Sequence, residues 1–267
     1  MKLHSIQVGA CAVLAAAAAS VLLAQVPRQS DGHPDLTGTW DNGSGIDFIH
    51  PQHLADGSVC VSGCDSPRAA KAGTPAPAAA RPARNFPKYR PEFLAKVADL
   101  EKNQLQLDPV LHCRSPGLPR IGPPDKIVQL PGQIVFLYDD VSGNFFRIIP
   151  MNAHAHRTDV DPSTFGDSIG HWDGDTLVVE ANQFNDDSWL TDNGAFHSTG
   201  LTVTERLRRV GDTLQYQAVS TDPKVLTEPW TVTRLAKLTD VDLVEATPCI
   251  DKDLSHVVDG THHDNPR

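Results

Sequence analysis

The chain is short of positive charge. Its 23 Lys and Arg are outnumbered by 33 Asp and Glu, giving a net charge of −10. The basic residues are scattered rather than gathered in a stripe or run, so the sequence offers no track for a phosphate backbone and excludes nucleic acid as a partner. Long apolar runs are missing after residue 24, and no later segment is expected to span a membrane. The sequence also lacks a Gly-rich phosphate loop, a His-Glu-x-x-His pair and a haem attachment pair. Nucleotide-dependent chemistry is therefore without support, and serine-hydrolase chemistry is not expected either.

What is present at the start is a targeting pattern. Lys2 precedes an apolar, Ala-rich run from Val8 to Ala24. That length suits the core of a signal peptide and falls short of a secure membrane span. Residues 1–24 are expected to be cleaved, which places the protein in the periplasm or outside the cell. Cys11 follows Val8-Gly9-Ala10, as in a lipidation box, but most of the apolar run lies after it. Four cysteines then remain: Cys60, Cys64, Cys113 and Cys249. An even count in an exported chain reads as two disulfides with three possible pairings. Cys60 and Cys64 are close enough to bridge locally in a Gly/Ser turn. Cys113 and Cys249 would then tie an early loop to the C-terminal segment.

Residues 25–88 hold a first strand, Leu36–Trp40, followed by an irregular segment that includes the Pro/Ala-rich stretch Ala72–Arg84. Residues 89–267 form the main domain. One helix is expected from Pro91 to Leu100, with Phe93, Leu94, Val97 and Leu100 on one face. Period-two alternation takes over from Lys126. It predicts strands at 126–130, 134–139, 145–149, 167–172, 176–182, 201–210, 213–220, 230–238 and 241–246. Pro131-Gly132, Asp173-Gly174 and Gly211-Asp212 supply the turns between strands. Strand–helix alternation is absent, so the expected fold is an antiparallel, lipocalin-like (calycin-type) all-β barrel with long loops.

Several stretches carry a resemblance. Asp35-Leu-Thr-Gly-Thr-Trp40, Cys113-Arg-Ser-Pro-Gly-Leu-Pro-Arg120, Gly166-Asp-Ser-Ile-Gly-His-Trp-Asp-Gly-Asp-Thr-Leu-Val-Val179 and His197-Ser-Thr-Gly-Leu-Thr-Val-Thr-Glu-Arg206 together resemble a large group of secreted bacterial proteins. The resemblance covers Tyr89 to the C-terminus plus the Trp40 strand and implies no particular reaction. It implies pairing of Cys113 with Cys249. Gly38-Thr39-Trp40 also looks like the first-strand Gly-x-Trp signature of lipocalins. Where the group tends to have Asp-Gly-Arg-x-His, this chain has Met151-Asn-Ala-His-Ala-His156, so only His156 matches.

Four constellations carry possible chemistry. His154 and His156 sit in a His-x-His pair, a spacing that metal sites use, with His197 or His171 as an outside third ligand. Asp167 and His171 fall on one face of their strand, with Trp172 on the other. The loop from Phe184 to His197 holds Asp187, Trp189 and His197 and has the make-up of a lid at a barrel mouth. Glu205 shares a face with Leu201, Val203 and Leu207, an inward acid that must pair with an Arg such as Arg147 or Arg234 or be tuned for proton transfer. Trp40, Phe136, Phe146, Trp172, Trp189 and Trp230 are expected to form the wall or mouth of a pocket.

The sequence favours a cofactor-independent enzyme. His156, His197 and Glu205 would be its acid–base set, oriented by Asp167 or His171, and its substrate a small, partly apolar molecule, as for an isomerase, lyase or hydrolase. His154, Trp172, Trp189, Trp40 and Asp187 would line the binding site. The alternatives are a barrel that carries a hydrophobic small molecule without chemistry, and an interaction module of the cell envelope. Convergence of the three acid–base groups on one cavity separates these readings.

Overall fold

Alternating apolar residues fold as the pattern predicts. The computed structural model describes residues 26–43, 52–53, 59–60, 85–191, 193–245 and 249. Its main sheet contains β1 (Gly38–Asp41), β4 (Lys126–Leu130), β5 (Gln133–Asp140), β6 (Gly143–Pro150), β7 (Asp167–Asp173), β8 (Thr176–Asn182), β9 (Thr202–Val210), β10 (Thr213–Thr221) and β11 (Trp230–Thr239). β2 (Gln52–His53) and β3 (Val59–Cys60) form a separate two-residue ladder. A 3-10 turn at Pro91–Phe93 leads into α1 (Leu94–Lys102), and a short α2 (Gln104–Leu107) follows. Leu94 is exposed, so the buried face of the helix is narrower than expected and centres on Val97. The expected strand at 241–246 does not form over residues 241–245. That segment instead crosses the outside of the sheet, held by Lys126 to Asp242 and by Asn144 Nδ2 donating to the Val244 carbonyl.

The strand order is β6-β5-β4-β1-β11-β10-β9-β8-β7, and every ladder in it is antiparallel. Strand direction therefore alternates along an odd number of strands. The two edge strands, β6 and β7, must run the same way where the sheet curls to bring them together. Their contacts agree: Arg147 meets Ser168, and further along both strands Ile149 and Met151 meet Gly170. This parallel seam carries side-chain contacts in place of a ladder. A Cβ on Gly170 would lie 2.7 Å from Met151 Sδ and 2.8 Å from Ile149 Cγ2, so only glycine lets the edges approach. The result is an all-β, nearly closed antiparallel barrel.

The barrel is filled. Trp40, Phe136, Tyr138, Leu177 and Tyr216 are fully buried inside it. At one end Leu36, also fully buried, plugs the mouth; Trp40 Nε1 donates to its carbonyl at 2.9 Å. At the other end Leu118, Phe184, Leu190 and Leu201 close the interior from the loops. Phe146, expected in the wall, points outward and is 65% exposed.

A charged pair crosses this interior. Arg147 Nη1 lies 2.7 Å from Glu205 Oε2. The contact is ionic, because Oε2 finds no donor in hydrogen-bond geometry. Tyr216 donates to Glu205 Oε1 at 3.0 Å, and Arg147 donates to Tyr138 Oη at 3.0 Å and to Ser168 Oγ at 2.8 Å. Burial alone would drive the proton from Arg147, but Glu205 and Tyr138 reverse that and hold the guanidinium charged. A disulfide joins Cys113 to Cys249, 136 residues apart, and suits an oxidising compartment outside the cytoplasm. Cys64 and its pairing lie outside the described residues, as do residues 1–24. Among the described residues no helix is long and apolar enough to cross a membrane.

Removing one partner of a buried pair strands the other's charge. Arg147→Ala should cost about 3–5 kcal/mol in urea unfolding, and Arg147→Met combined with Glu205→Leu should recover most of it. Equal destabilisation by the single and double variants would contradict the pairing.

Candidate functional site

The three expected acid–base groups occupy three separate environments. His156 lies in the loop after β6, where its Nδ1 is 3.1 Å from Asp167 Oδ2. Asp167 is buried under that loop and also accepts from the Arg157 backbone at 3.0 Å and from Arg157 Nε at 2.6 Å. Burial pushes the Asp167 carboxyl up, but the bonds from Arg157 and His156 outweigh it and hold the group below its usual range. Glu205 is in the barrel interior, tied to Arg147 and Tyr216.

His197 is buried beside Phe184 in the loop between β8 and β9. Its Nδ1 lies 3.1 Å from the Ser198 carbonyl, which can only accept, so Nδ1 carries the proton. Nε2 is then the acceptor for Ser188 Oγ at 3.0 Å. Burial pulls the His197 pKa down despite Ser198 and the nearby Asp222. Ser198 in turn donates through its backbone and hydroxyl to Asp222 at 2.6 and 2.9 Å. This Ser–His pair is sealed. Gly117 sits against it at φ +71°, so close that a Cβ there would lie 2.2 Å from Ser188 Oγ. His156, His197 and Glu205 share no hydrogen-bonding partner. None of the three lines the cleft at His171 and Trp172 or the lateral cleft beside β11.

The other expected residues are also dispersed. His154 is exposed, and among the described residues no cluster of three or more His, Cys, Asp or Glu is placed to hold a metal ion. The His154, His156 and His197 set is thus not gathered. Trp40 and Trp189 are core residues. Asp187 is exposed and accepts from Asn185 at 3.0 Å. His171 and Trp172 do meet a cleft of about 520 Å³ beside the end of the β6–β7 seam, together with His33, which stacks on Trp172 at 4.7 Å.

The expectation against serine-hydrolase chemistry overlooks one match. Gly166-Asp-Ser-Ile-Gly170 spells Gly-x-Ser-x-Gly. A nucleophile elbow needs a strand-to-helix turn. Ser168 instead lies inside β7, is buried, and accepts from Arg147.

A second cleft was not legible in the motifs. β1 pairs with only the last few residues of β11, Lys237 to Thr239. From Trp230 to Ala236, β11 therefore has no strand partner on that side. The segment from Asn85 runs along this gap: Asn85 donates to the Thr231 carbonyl at 2.8 Å and accepts from Trp230 Nε1 at 3.0 Å. Between them opens a lateral cleft of about 340 Å³. Phe86, Leu190, Trp230 and Val232 give it apolar walls, and Asn85, Arg120, Thr191, Asn193 and Arg234 give it polar ones. The 184–197 loop, expected as a lid at the barrel mouth, borders this lateral cleft through Leu190, Thr191 and Asn193.

Asp125 supplies a titrating group near neutrality. Burial, with Asp139 and Asp140 close by, pushes its carboxyl up to about 6, against a lowering bond from the Asp139 backbone.

No protein-family model matches the chain, and no curated protein matches it. Among solved structures, a secretary abundant heat soluble (SAHS) protein from Ramazzottius varieornatus is similar over 43% of this chain and 69% of its own, at 14% identity and a TM-score of 0.29.

Two opposed pH effects follow. His197, with a lowered folded pKa, withdraws stability as pH falls below about 6.5, where the unfolded chain takes up its proton first. Asp125, with a raised folded pKa, contributes stability that is full below about pH 4 and lost as pH rises through about 6. Unfolding between pH 7 and 5 should therefore show Asp125→Asn losing stability more steeply than wild type on acidification and His197→Gln gaining it. Unchanged slopes in both variants would contradict these assignments.

Proposed function

We propose that this barrel binds a small, partly apolar organic molecule in the lateral cleft beside β11 and acts as a carrier. The observation that supports it is the cleft itself. It has the size and the mixed lining of small-molecule sites, an apolar wall with a few placed polar groups. The barrel core, in contrast, is occupied by its own side chains. The acid–base groups named from the sequence are each consumed by a structural partner or lie apart from the others.

A second reading, proton-transfer catalysis at His156, has one specific observation in its favour. Asp167 fixes Nδ1, and Nε2 has no protein partner among the described residues. An imidazole oriented by a buried carboxylate is a usual arrangement for a general base. The two readings part on His156→Gln. A carrier keeps its affinity and releases its ligand chemically unchanged; an enzyme keeps its affinity and loses turnover.

The binding itself is tested with the neutral fluorescent probe N-phenyl-1-naphthylamine. Its emission should rise on mixing with the protein. Thr191→Trp, which fills the cleft from a loop without altering the core, should weaken binding about tenfold or more, with the circular-dichroism spectrum unchanged. Equal affinity in the variant would place the ligand elsewhere.

A further inference from the structure

The cleft contains two guanidinium groups in very different states. Arg120 donates both nitrogens of its fork to Asp108, at 2.7 and 2.8 Å. Asp108 is 1% exposed and also caps the turn at Val110. That pair is a fixed part of the wall, and its charges cancel. Arg234 has no such partner. Among the described residues its side chain makes one hydrogen bond, 3.2 Å from Nη1 to the neighbouring Thr233 carbonyl, and meets no carboxylate.

The setting strengthens the contrast. The protein carries a net charge of −10, yet the stretch of sheet around Arg234 is basic. Arg206 and Arg208, at outward positions of β9, line a neighbouring surface groove that Arg234 also borders. Arg206 pairs with Asp173 at 3.1 Å and Arg208 acts on Asp175, so Arg234 is the one of the three with no carboxylate among the described residues. Trp230 and Val232 precede Arg234 by four and two residues on the same strand, which period two places on one side. An apolar wall therefore ends at a guanidinium whose donors are mostly unused. A planar fork of that kind matches a carboxylate.

We propose that the cleft selects amphiphiles with a compact apolar or aromatic body and a single carboxylate head, with Arg234 as the residue that determines the charge preference. The proposal rests on the cleft being the binding site. Phe86, Leu190, Trp230 and Val232 hold the body, and Arg234 receives the head at the rim. Asn85 stays committed to Trp230 and Thr231 and keeps the wall in place.

The test uses the full-length protein and three probes of one shape: 4-phenylbutanoate, 4-phenyl-1-butanol and 4-phenylbutylamine. Affinities are read at pH 7 by displacement of N-phenyl-1-naphthylamine. The carboxylate should bind about tenfold or more tighter than the alcohol, as expected for a hydrogen bond to a charged group. The amine should bind weakest. Arg234→Gln should bring the carboxylate to the affinity of the alcohol and leave the alcohol unchanged, while Arg234→Lys should keep part of the preference. Raising the salt concentration should shrink the preference. Alcohol and carboxylate binding equally to wild type, or the preference surviving in Arg234→Gln, would overturn the charge assignment and leave the cleft standing. Failure of all three probes and of the neutral probe to bind would overturn both.

Discussion

A buried ion pair holds this barrel shut. Nine strands joined only by antiparallel ladders cannot close with another antiparallel pair, so β6 and β7 meet as parallel neighbours. No ladder binds them. Arg147 on β6 instead reaches Ser168 on β7 and Glu205 on β9, and Tyr138 and Tyr216 complete the set. A charge in that position is costly unless each member is satisfied. Most of their polar atoms are partnered, Arg147 Nε and Glu205 Oε2 being the exceptions, and the set fills the centre of the barrel with long polar side chains. The hollow that a ligand-carrying barrel normally offers is therefore given over to closure.

The same arrangement explains where the lateral cleft opens. Leu36 plugs one mouth, and Leu118, Leu190 and Leu201 close the other. The lateral gap exists because β1 is four residues long and β11 is ten. Asn85 covers the exposed edge of β11 only in part, and the remaining space is bounded by tryptophan, leucine and arginine side chains. The seam, the plug and the gap follow from one arrangement of strands.

Much of the fold was legible in sequence. The hairpin turns and nearly all strand boundaries after Lys126 follow from period two and from Gly/Asp punctuation. The alternation of Leu201, Val203, Glu205 and Leu207 placed an acid inside, and Arg147 was one of two arginines named as its partner. The site was much less legible. Convergence of His156, His197 and Glu205 could not be judged from strand patterns, because it depends on loop paths across the barrel end. His197 faces Ser188 and Phe184 within its own loop, and His156 turns back to Asp167. The cleft depends on a missing stretch of pairing, which leaves no motif. Phe146 and Leu94 show a smaller limit of the same kind: periodicity identifies a face, but only packing decides whether anything covers it.

The central claim is that the gap beside β11, and not the barrel interior or the cleft at Trp172, receives the ligand. Amide and indole chemical-shift mapping during titration with 4-phenylbutanoate tests it most directly. The account predicts saturable shifts at Phe86, Thr191, Asn193, Val232 and the Trp230 indole. Shifts centred on His33, His171 and Trp172, or on Tyr138 and Tyr216, would contradict it.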